Sequence, residues 1–74
     1  SRLCLVCSDR SDGAHFGVDS CRACAAFFRR SIAMKKKYVC RQGGHSCKIN
    51  KTVRFMCRKC RFGKCLQAGM LAES

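Results

Sequence analysis

Acidic residues, proline and long apolar runs are scarce or absent in this chain of 74 residues. It has no proline, and its four acids form no constellation suited to acid–base catalysis: Asp9, Asp12, Asp19 and Glu73. No stretch approaches the roughly 20 apolar residues of a transmembrane helix. We expect no secretory signal peptide either, because Ser1-Arg2-Leu3 leads directly into the first cysteine pair. We therefore expect a protein that is not an enzyme and does not span a membrane.

Cysteine, by contrast, is abundant. The chain is long enough for one domain. So small a domain buries too little apolar surface to be stable without disulfides or a bound metal ion. Nine cysteines are present. Their odd number and three Cys-x-x-Cys pairs favour metal over disulfides, since a disulfide across two residues closes a strained loop. The pairs are Cys4/Cys7, Cys21/Cys24 and Cys57/Cys60.

The order of the cysteines predicts two zinc modules, at 4–24 and 40–60. Zinc favours four sulfur ligands in a tetrahedron, which leaves no position for water or substrate, so both Zn²⁺ ions would be structural. Consecutive pairing closes the shorter loops, although an interleaved pairing also fits the spacing. Consecutive pairing assigns Cys4, Cys7, Cys21 and Cys24 to the first ion and Cys40, Cys47, Cys57 and Cys60 to the second.

A first helix is predicted over 20–37, where no glycine or proline occurs from residue 21 onward. Asp19 and Ser20 are its capping candidates. At about 100° per residue, its two sides differ in composition. Arg22, Ala26, Arg29, Arg30 and Ala33 lie on one side, and Cys24, Phe27, Phe28, Ser31 and Met34 lie on the other. The apolar side can be buried, and the side edged with arginine suits a polyanion.

A second helix is predicted over 57–69, with Gly69 as its C-terminal cap. The expected fold is thus a small, zinc-stabilised, mostly α domain in which each of two Cys₄ modules is followed by a helix. The ninth cysteine, Cys65, should pack as a small apolar residue. The expected core residues are Phe27, Phe28, Ile32, Tyr38, Phe62 and Leu66.

The excess of basic residues indicates an anionic partner. The formal net charge is +12, and it remains +8 when eight thiolates (−8) and two zinc ions (+4) are included. Solubility needs only a few charges, so this excess favours nucleic acid or an anionic membrane surface. Because the first helix has a face edged with arginine, we expect that helix to enter a DNA groove, and we expect no membrane partner.

Several motifs make the chain resemble the DNA-binding domain of nuclear hormone receptors, from Cys4 to about Met70. They are Cys4-Leu-Val-Cys7, His15-Phe-Gly-Val18, Cys21-x-x-Cys24 followed by Phe27-Phe28-Arg29-Arg30-Ser31-Ile32, Arg54-x-x-Cys57-Arg-x-Cys60-Arg61-x-x-Lys64-Cys65, and Gly69-Met70. The resemblance implies consecutive Cys₄ zinc sites, helices crossing about perpendicular, and the first helix in the major groove of double-stranded DNA. It also implies a transcription regulator in the nucleus, with a ligand-binding domain C-terminal to this segment.

The resemblance further implies which residues contact DNA. The base-reading positions are Arg22, Ala23, Ala25, Ala26, Arg29 and Arg30. The phosphate-contacting positions are His15, Arg54, Arg58 and Arg61.

Some of these positions depart from the family's usual residues. The family usually has Glu-Gly where this chain has Arg22-Ala23, and Lys where it has Ala25. Glutamate accepts a hydrogen bond from cytosine N4 and lysine donates to guanine; Arg22 can only donate, and Ala25 can do neither. We therefore expect a half-site altered from the usual AGGTCA, or weak discrimination carried mainly by phosphates. Phe16 replaces a usual tyrosine and lacks its hydroxyl.

The spacer between Cys40 and Cys47 has six residues, one more than the family usually has. Residues 41–46 form the dimer contact in the family, so the longer spacer argues against pairing with a second receptor through them. The number of subunits on DNA stays open.

Two other functions would also use cysteine pairs. A zinc-based protein-interaction module of the LIM or RING kind fits so basic a surface poorly. An enzyme, whether a thiol oxidoreductase or a zinc hydrolase, fits poorly because a hydrolytic zinc needs an open coordination position and closed Cys₄ sites have none.

Overall fold

The described residues form two short strands and two helices. In chain order they are β1 (Ala14–His15), β2 (Val18–Asp19), α1 (Arg22–Ala33) and α2 (Arg58–Ala68). The computed structural model describes residues 2–40, 47–53 and 56–72. Neither helix within these ranges is long and apolar enough to cross a membrane.

The strands form a tight hairpin that leads into α1. They pair antiparallel, with His15 opposite Val18. The two turn residues, Phe16 and Gly17, have φ values of 54° and 91°, and a type I′ hairpin turn requires positive φ at both positions. Packing holds Phe16 in this unusual conformation, because its ring packs edge-to-face with the ring of Phe28, at a centroid distance of 5.0 Å.

The start of α1 differs from the sequence prediction. The helix begins at Arg22, and its N-cap is Cys21, whose sulfur accepts a hydrogen bond from the backbone N–H of Cys24 at 3.4 Å. The expectation that Asp19 or Ser20 would cap the helix was therefore wrong. The cysteine sulfur already lies beside the free N–H groups of the first turn, so it takes the place of a capping oxygen.

The end of α1 lies at Ala33, earlier than the predicted range 20–37. Lys35 has a φ of 50° and thus turns into the left-handed region without a glycine. Its N–H donates to the carbonyl of Ile32, and the N–H of Lys36 donates to the carbonyl of Ser31. This pair of hydrogen bonds satisfies the last helical carbonyls and ends the helix.

An aromatic cluster joins the hairpin to both helices. We define it as Phe16, Phe27, Phe28, Tyr38 and Phe62. Phe28 lies at its centre, 1% exposed, and stacks on Phe62 at 5.6 Å. Tyr38 stacks on Phe27 at 5.6 Å. Most of the expected core is thus assembled through ring contacts across the two helices.

Two expected core residues are not buried. Ile32 is 37% exposed and Leu66 is 52% exposed. Residues from the first zinc module and the C-terminal end fill the core instead, with Val6 fully buried and Met70 2% exposed. Helix periodicity identified the apolar sides of α1 and α2, but not which residues at the margins of those sides are covered by other segments.

The C-terminal end of α2 agrees with the sequence prediction. Gly69 has a φ of 104° and caps the helix, and the next N–H, of Met70, donates to the carbonyl of Cys65 at 3.1 Å. Cys65 is completely buried. Burial raises the pKa of its thiol to about 11, which suits its predicted part as a small apolar residue.

Candidate metal centres and nucleic-acid interface

The first metal centre lies between the loop that follows residue 3 and the start of α1. Its four sulfur atoms lie within 4.8 Å of one another, and all four side chains are buried: Cys4, Cys7, Cys21 and Cys24. The sulfurs of Cys7 and Cys21 are 3.6 Å apart. A tetrahedron of Zn–S bonds of about 2.3 Å has edges of roughly 3.8 Å. A disulfide needs only about 2.05 Å, so this geometry fits a metal and not a disulfide.

Backbone N–H groups surround the sulfur of Cys4. Those of Val6 and Cys7 donate to it at 3.4 Å and 3.5 Å. Burial by itself would raise the pKa of the Cys4 thiol. Hydrogen bonds from the backbone lower it by more, so the pKa lies below its ordinary value, at about 7. Burial instead raises the pKa of Cys7 to about 11. Cys7 is therefore protonated at neutral pH without a metal ion, and metal binding to its sulfur releases a proton.

The second metal centre also has four cysteine ligands, but it is less buried than the first. Its sulfurs also lie within 4.8 Å of one another, those of Cys40, Cys47, Cys57 and Cys60. The sulfur of Cys40 lies 3.5 Å from that of Cys47 and 3.8 Å from that of Cys60. Cys47 and Cys57 are half-buried, so this centre is closer to solvent than the first.

Each centre fastens a loop to the beginning of a helix. The sulfurs at the first centre include Cys21, the N-cap of α1, and those at the second include Cys57, the N-cap of α2. Four thiolates at tetrahedral distances suit Zn²⁺. The grouping is the consecutive one that loop entropy favoured. The domain therefore holds two zinc ions, in two Cys₄ modules.

Arg61 connects α2 to the first metal centre. Its Nη2 donates to the sulfur of Cys24 at 3.3 Å. Its guanidinium carbon lies 4.7 Å from the centre of the Phe27 ring. A positive charge at this distance stabilises a ligating thiolate, and the ring contact fixes the guanidinium over α1. No local sequence pattern indicates this contact, because the two residues are 37 positions apart.

Replacing Arg61 with methionine is expected to lower the free energy of unfolding by roughly 1.5–3 kcal/mol, because a hydrogen bond from a charged donor is lost. Guanidinium denaturation with saturating zinc measures this change. Arg58→Met is the matched control, since it removes the same charge from an exposed position of α2. We expect it to cost less than about 0.5 kcal/mol. Equal losses in the two variants would contradict the assigned contact.

The exposed face of α1 carries most of the predicted base-reading residues. Five of the six are exposed: Arg22, Ala23, Ala26, Arg29 and Arg30. Ala25 differs, because it is only 7% exposed and packs inside the domain. The exposed face is therefore a row of short side chains bordered by three arginines, with no acid in α1 itself.

The predicted phosphate-contacting residues lie in different surroundings. Arg58 is exposed at the first position of α2, while His15 and Arg61 are half-buried. Arg54 and the spacer 41–46 lie outside the described residues. Asp12 is one of the four acids of the chain. Its Oδ2 lies 3.8 Å from Nε2 of His15 and 3.5 Å from Nη2 of Arg22. No sequence pattern indicates this, because the contact depends on how the hairpin meets α1.

Comparison with known proteins places this geometry in a family. Residues 2–72 match the family model described as double treble clef zinc finger, C4 type. Nuclear hormone receptor family member nhr-28 of Caenorhabditis briggsae is 63% identical over 67 residues, which cover 90% of this chain and 15% of the relative. Nuclear hormone receptor family member nhr-12 of Caenorhabditis elegans is 53% identical over 70 residues, 95% of this chain and 15% of the relative.

The chain thus spans about one-sixth of the length of the curated relatives it matches. Proteins of this family are DNA-binding transcription regulators. The match extends over nearly the whole chain and includes both cysteine sets. The chain therefore belongs to the C4-type zinc-finger family, as a DNA-binding domain of the nuclear hormone receptor kind.

Proposed function

We propose that this domain binds double-stranded DNA in a sequence-specific manner, with α1 in the major groove of one half-site. The observation that carries the proposal is the exposed face of α1, which is edged by Arg22, Arg29 and Arg30. Its opposite side is buried against the aromatic cluster and the first zinc centre. The basic face of α1 is therefore the side that can meet an anionic ligand.

The dimensions of the exposed face suit the major groove. An α-helix with its side chains is about 10–12 Å across, and the major groove of B-DNA is about 12 Å wide. Short residues allow close approach, since Ala23 and Ala26 present only methyl groups at the exposed face. Such methyl groups can pack on thymine, while an arginine can donate two hydrogen bonds to guanine.

We propose that base preference differs from the AGGTCA half-site. Arg22 can donate to guanine O6 and N7 but cannot accept from cytosine N4, so a cytosine read by glutamate is not read here. Ala25 is 7% exposed, and its contribution is packing behind the exposed face. Base contacts then depend on Arg22, Ala23 and Ala26, with Arg29 and Arg30 at the boundary with the phosphates.

Phosphate contacts are proposed for His15, Arg54, Arg58 and Arg61. Support comes from the charge, which stays at +8 after two zinc ions and eight thiolates are included (+12, −8 and +4). Each phosphate that the protein neutralises steepens the salt dependence of binding by about 0.9 in the slope of log affinity against log salt.

Selection from random duplexes tests this proposal, with Arg22→Glu as the variant. The selected sequence should change in Arg22→Glu, because a carboxylate accepts from cytosine and cannot donate to guanine. Lys36→Glu is the matched control, since it makes the same charge change at an exposed position beyond α1. It should weaken binding to all duplexes alike. A wild-type domain that selects AGGTCA sharply, or selects nothing, would refute the proposed preference.

For the whole protein, we propose a nuclear transcription factor with a ligand-binding domain C-terminal to this segment. The support is the length of the relatives, since the chain covers 15% of nhr-28. A second receptor could join on DNA, though the six-residue spacer 41–46 argues against contact through that loop. The spacing and number of half-sites in the selected duplexes show whether one or two domains bind.

A further inference from the structure

Asp12 lies where an acid is unfavourable for binding DNA. It belongs to the loop before β1, and its Oδ2 is 3.5 Å from Nη2 of Arg22. The same oxygen is 3.8 Å from Nε2 of His15. These partners are a proposed base-reading residue and a proposed phosphate-contacting residue. A carboxylate between them repels the phosphates, so it weakens binding through charge alone.

The backbone fixes Asp12 relative to α1. Its N–H donates to the carbonyl of Ser20 at 3.1 Å, and the N–H of Ser20 donates to the carbonyl of Gly13 at 3.1 Å. These bonds extend the hairpin pairing almost to the first residue of α1. The hydroxyl of Ser11 also donates to the carbonyl of Ser20, at 3.3 Å. The carboxylate is therefore carried by a rigid segment and not by a freely moving loop.

Gly13 allows the chain to place Asp12 there. Its φ is 118°, in the left-handed region where glycine is strongly favoured, and no atom of the described residues lies within 4 Å of the position of a Cβ. Conformation and not space therefore selects glycine at this position. The turn directs the preceding residue back toward the start of α1.

A fixed partner restricts the conformations of the Arg22 side chain, which extends into solvent. It is 86% exposed, and it has several rotatable bonds whose freedom is lost when the guanidinium binds a base. A carboxylate that holds one amino group restricts the guanidinium before DNA arrives. The planar fork of arginine leaves other N–H groups for two hydrogen bonds to guanine.

We infer that Asp12 is a positioning residue for base recognition, which orients Arg22 toward guanine and so increases sequence discrimination while lowering overall DNA affinity. This inference rests on the proposed function of α1. It adds a residue outside the helix to those that determine specificity. A purely structural salt bridge would affect stability and leave discrimination unchanged.

Equilibrium titrations of the zinc-loaded domain test the inference. The probes are a 20-base-pair duplex with the selected half-site, duplexes in which each of its base pairs is replaced in turn, and an unrelated duplex. In Asp12→Asn, discrimination at the base pair read by Arg22 should fall roughly three- to tenfold, since charge pairs at an interface couple more strongly than those in water. Affinity for the unrelated duplex should rise.

Asp9→Asn is the matched control for charge. Asp9 is exposed in the same loop, and its Oδ1 accepts from the N–H of Arg10 at 2.7 Å. This variant should also strengthen binding to the unrelated duplex, but discrimination should not change. Asp12→Glu, which keeps the carboxylate, should recover part of the discrimination. Zinc content and circular dichroism establish that each variant is folded.

Measurements in the Arg22→Ala variant distinguish a failure of this inference from a failure of the proposed function. In Arg22→Ala, adding Asp12→Asn should produce no further loss of discrimination, because the residue that Asp12 orients is absent. Unchanged discrimination in Asp12→Asn alone, or an equal loss in both backgrounds, would overturn the inference and leave the proposed function intact. A wild-type domain without any base preference would overturn both.

Discussion

The domain is expected to unfold when its zinc is removed. Thiolate–zinc bonding contributes about 10–16 kcal/mol to folding in small zinc domains, while a core of this size supplies only a few kcal/mol. The two centres also hold the N-caps of both helices, Cys21 and Cys57. Titration with a strong chelator should abolish the helical circular dichroism signal, and added zinc should restore it.

Two cysteines in the helices allow a matched comparison of metal binding. Cys24 and Cys65 are both completely buried, but only Cys24 belongs to a four-sulfur centre. Cys24→Ala should lose at least one of two zinc ions and fail to fold, while Cys65→Ala should keep both and lose only packing. Zinc content by elemental analysis distinguishes them. Two zinc ions in Cys24→Ala would show that the ligand set is wrong.

Replacing Phe28 with alanine is expected to lower the free energy of unfolding by about 3–5 kcal/mol. Phe28 is 1% exposed, and its ring contacts both Phe16 of the hairpin and Phe62 of α2. Truncation therefore leaves a cavity at the junction of three segments. Since such domains are only marginally stable, much of the population should be unfolded at 37 °C. Guanidinium denaturation with saturating zinc gives the value.

Leu66→Ala is the control for this prediction. Leu66 lies on α2 and is 52% exposed, so its truncation should cost less than about 1 kcal/mol. Phe28→Leu keeps most of the volume and should cost an intermediate amount. A loss in Phe28→Ala no larger than that in Leu66→Ala would contradict the central place of this ring in the core.

The zinc centres were the most predictable part of the molecule. Cysteine spacing is a local property of the chain, and a tetrahedral ion accepts only four sulfurs, so few arrangements were available. Loop entropy then favoured the consecutive grouping that the structure has. The two faces of α1 were also predictable, because helix periodicity depends on nothing beyond the sequence of that segment.

Features that depend on the meeting of distant segments were not predictable. Ile32 and Leu66 were predicted in the core but are exposed, whereas Val6 and Met70 are buried and come from segments without helical periodicity. The N-cap was missed because cysteine is not among the usual capping residues. The contact of Arg61 with Cys24 depends on how α2 lies against α1, which no local pattern reveals.

The most direct test of the account is methylation interference on the selected duplex. Methylation at guanine N7 alters the major groove, and methylation at adenine N3 alters the minor groove. We expect N7 methylation within the half-site to prevent binding of the zinc-loaded domain, and N3 methylation to have little effect. Interference by N3 methylation alone, or binding that is indifferent to both, would contradict the placement of α1 in the major groove.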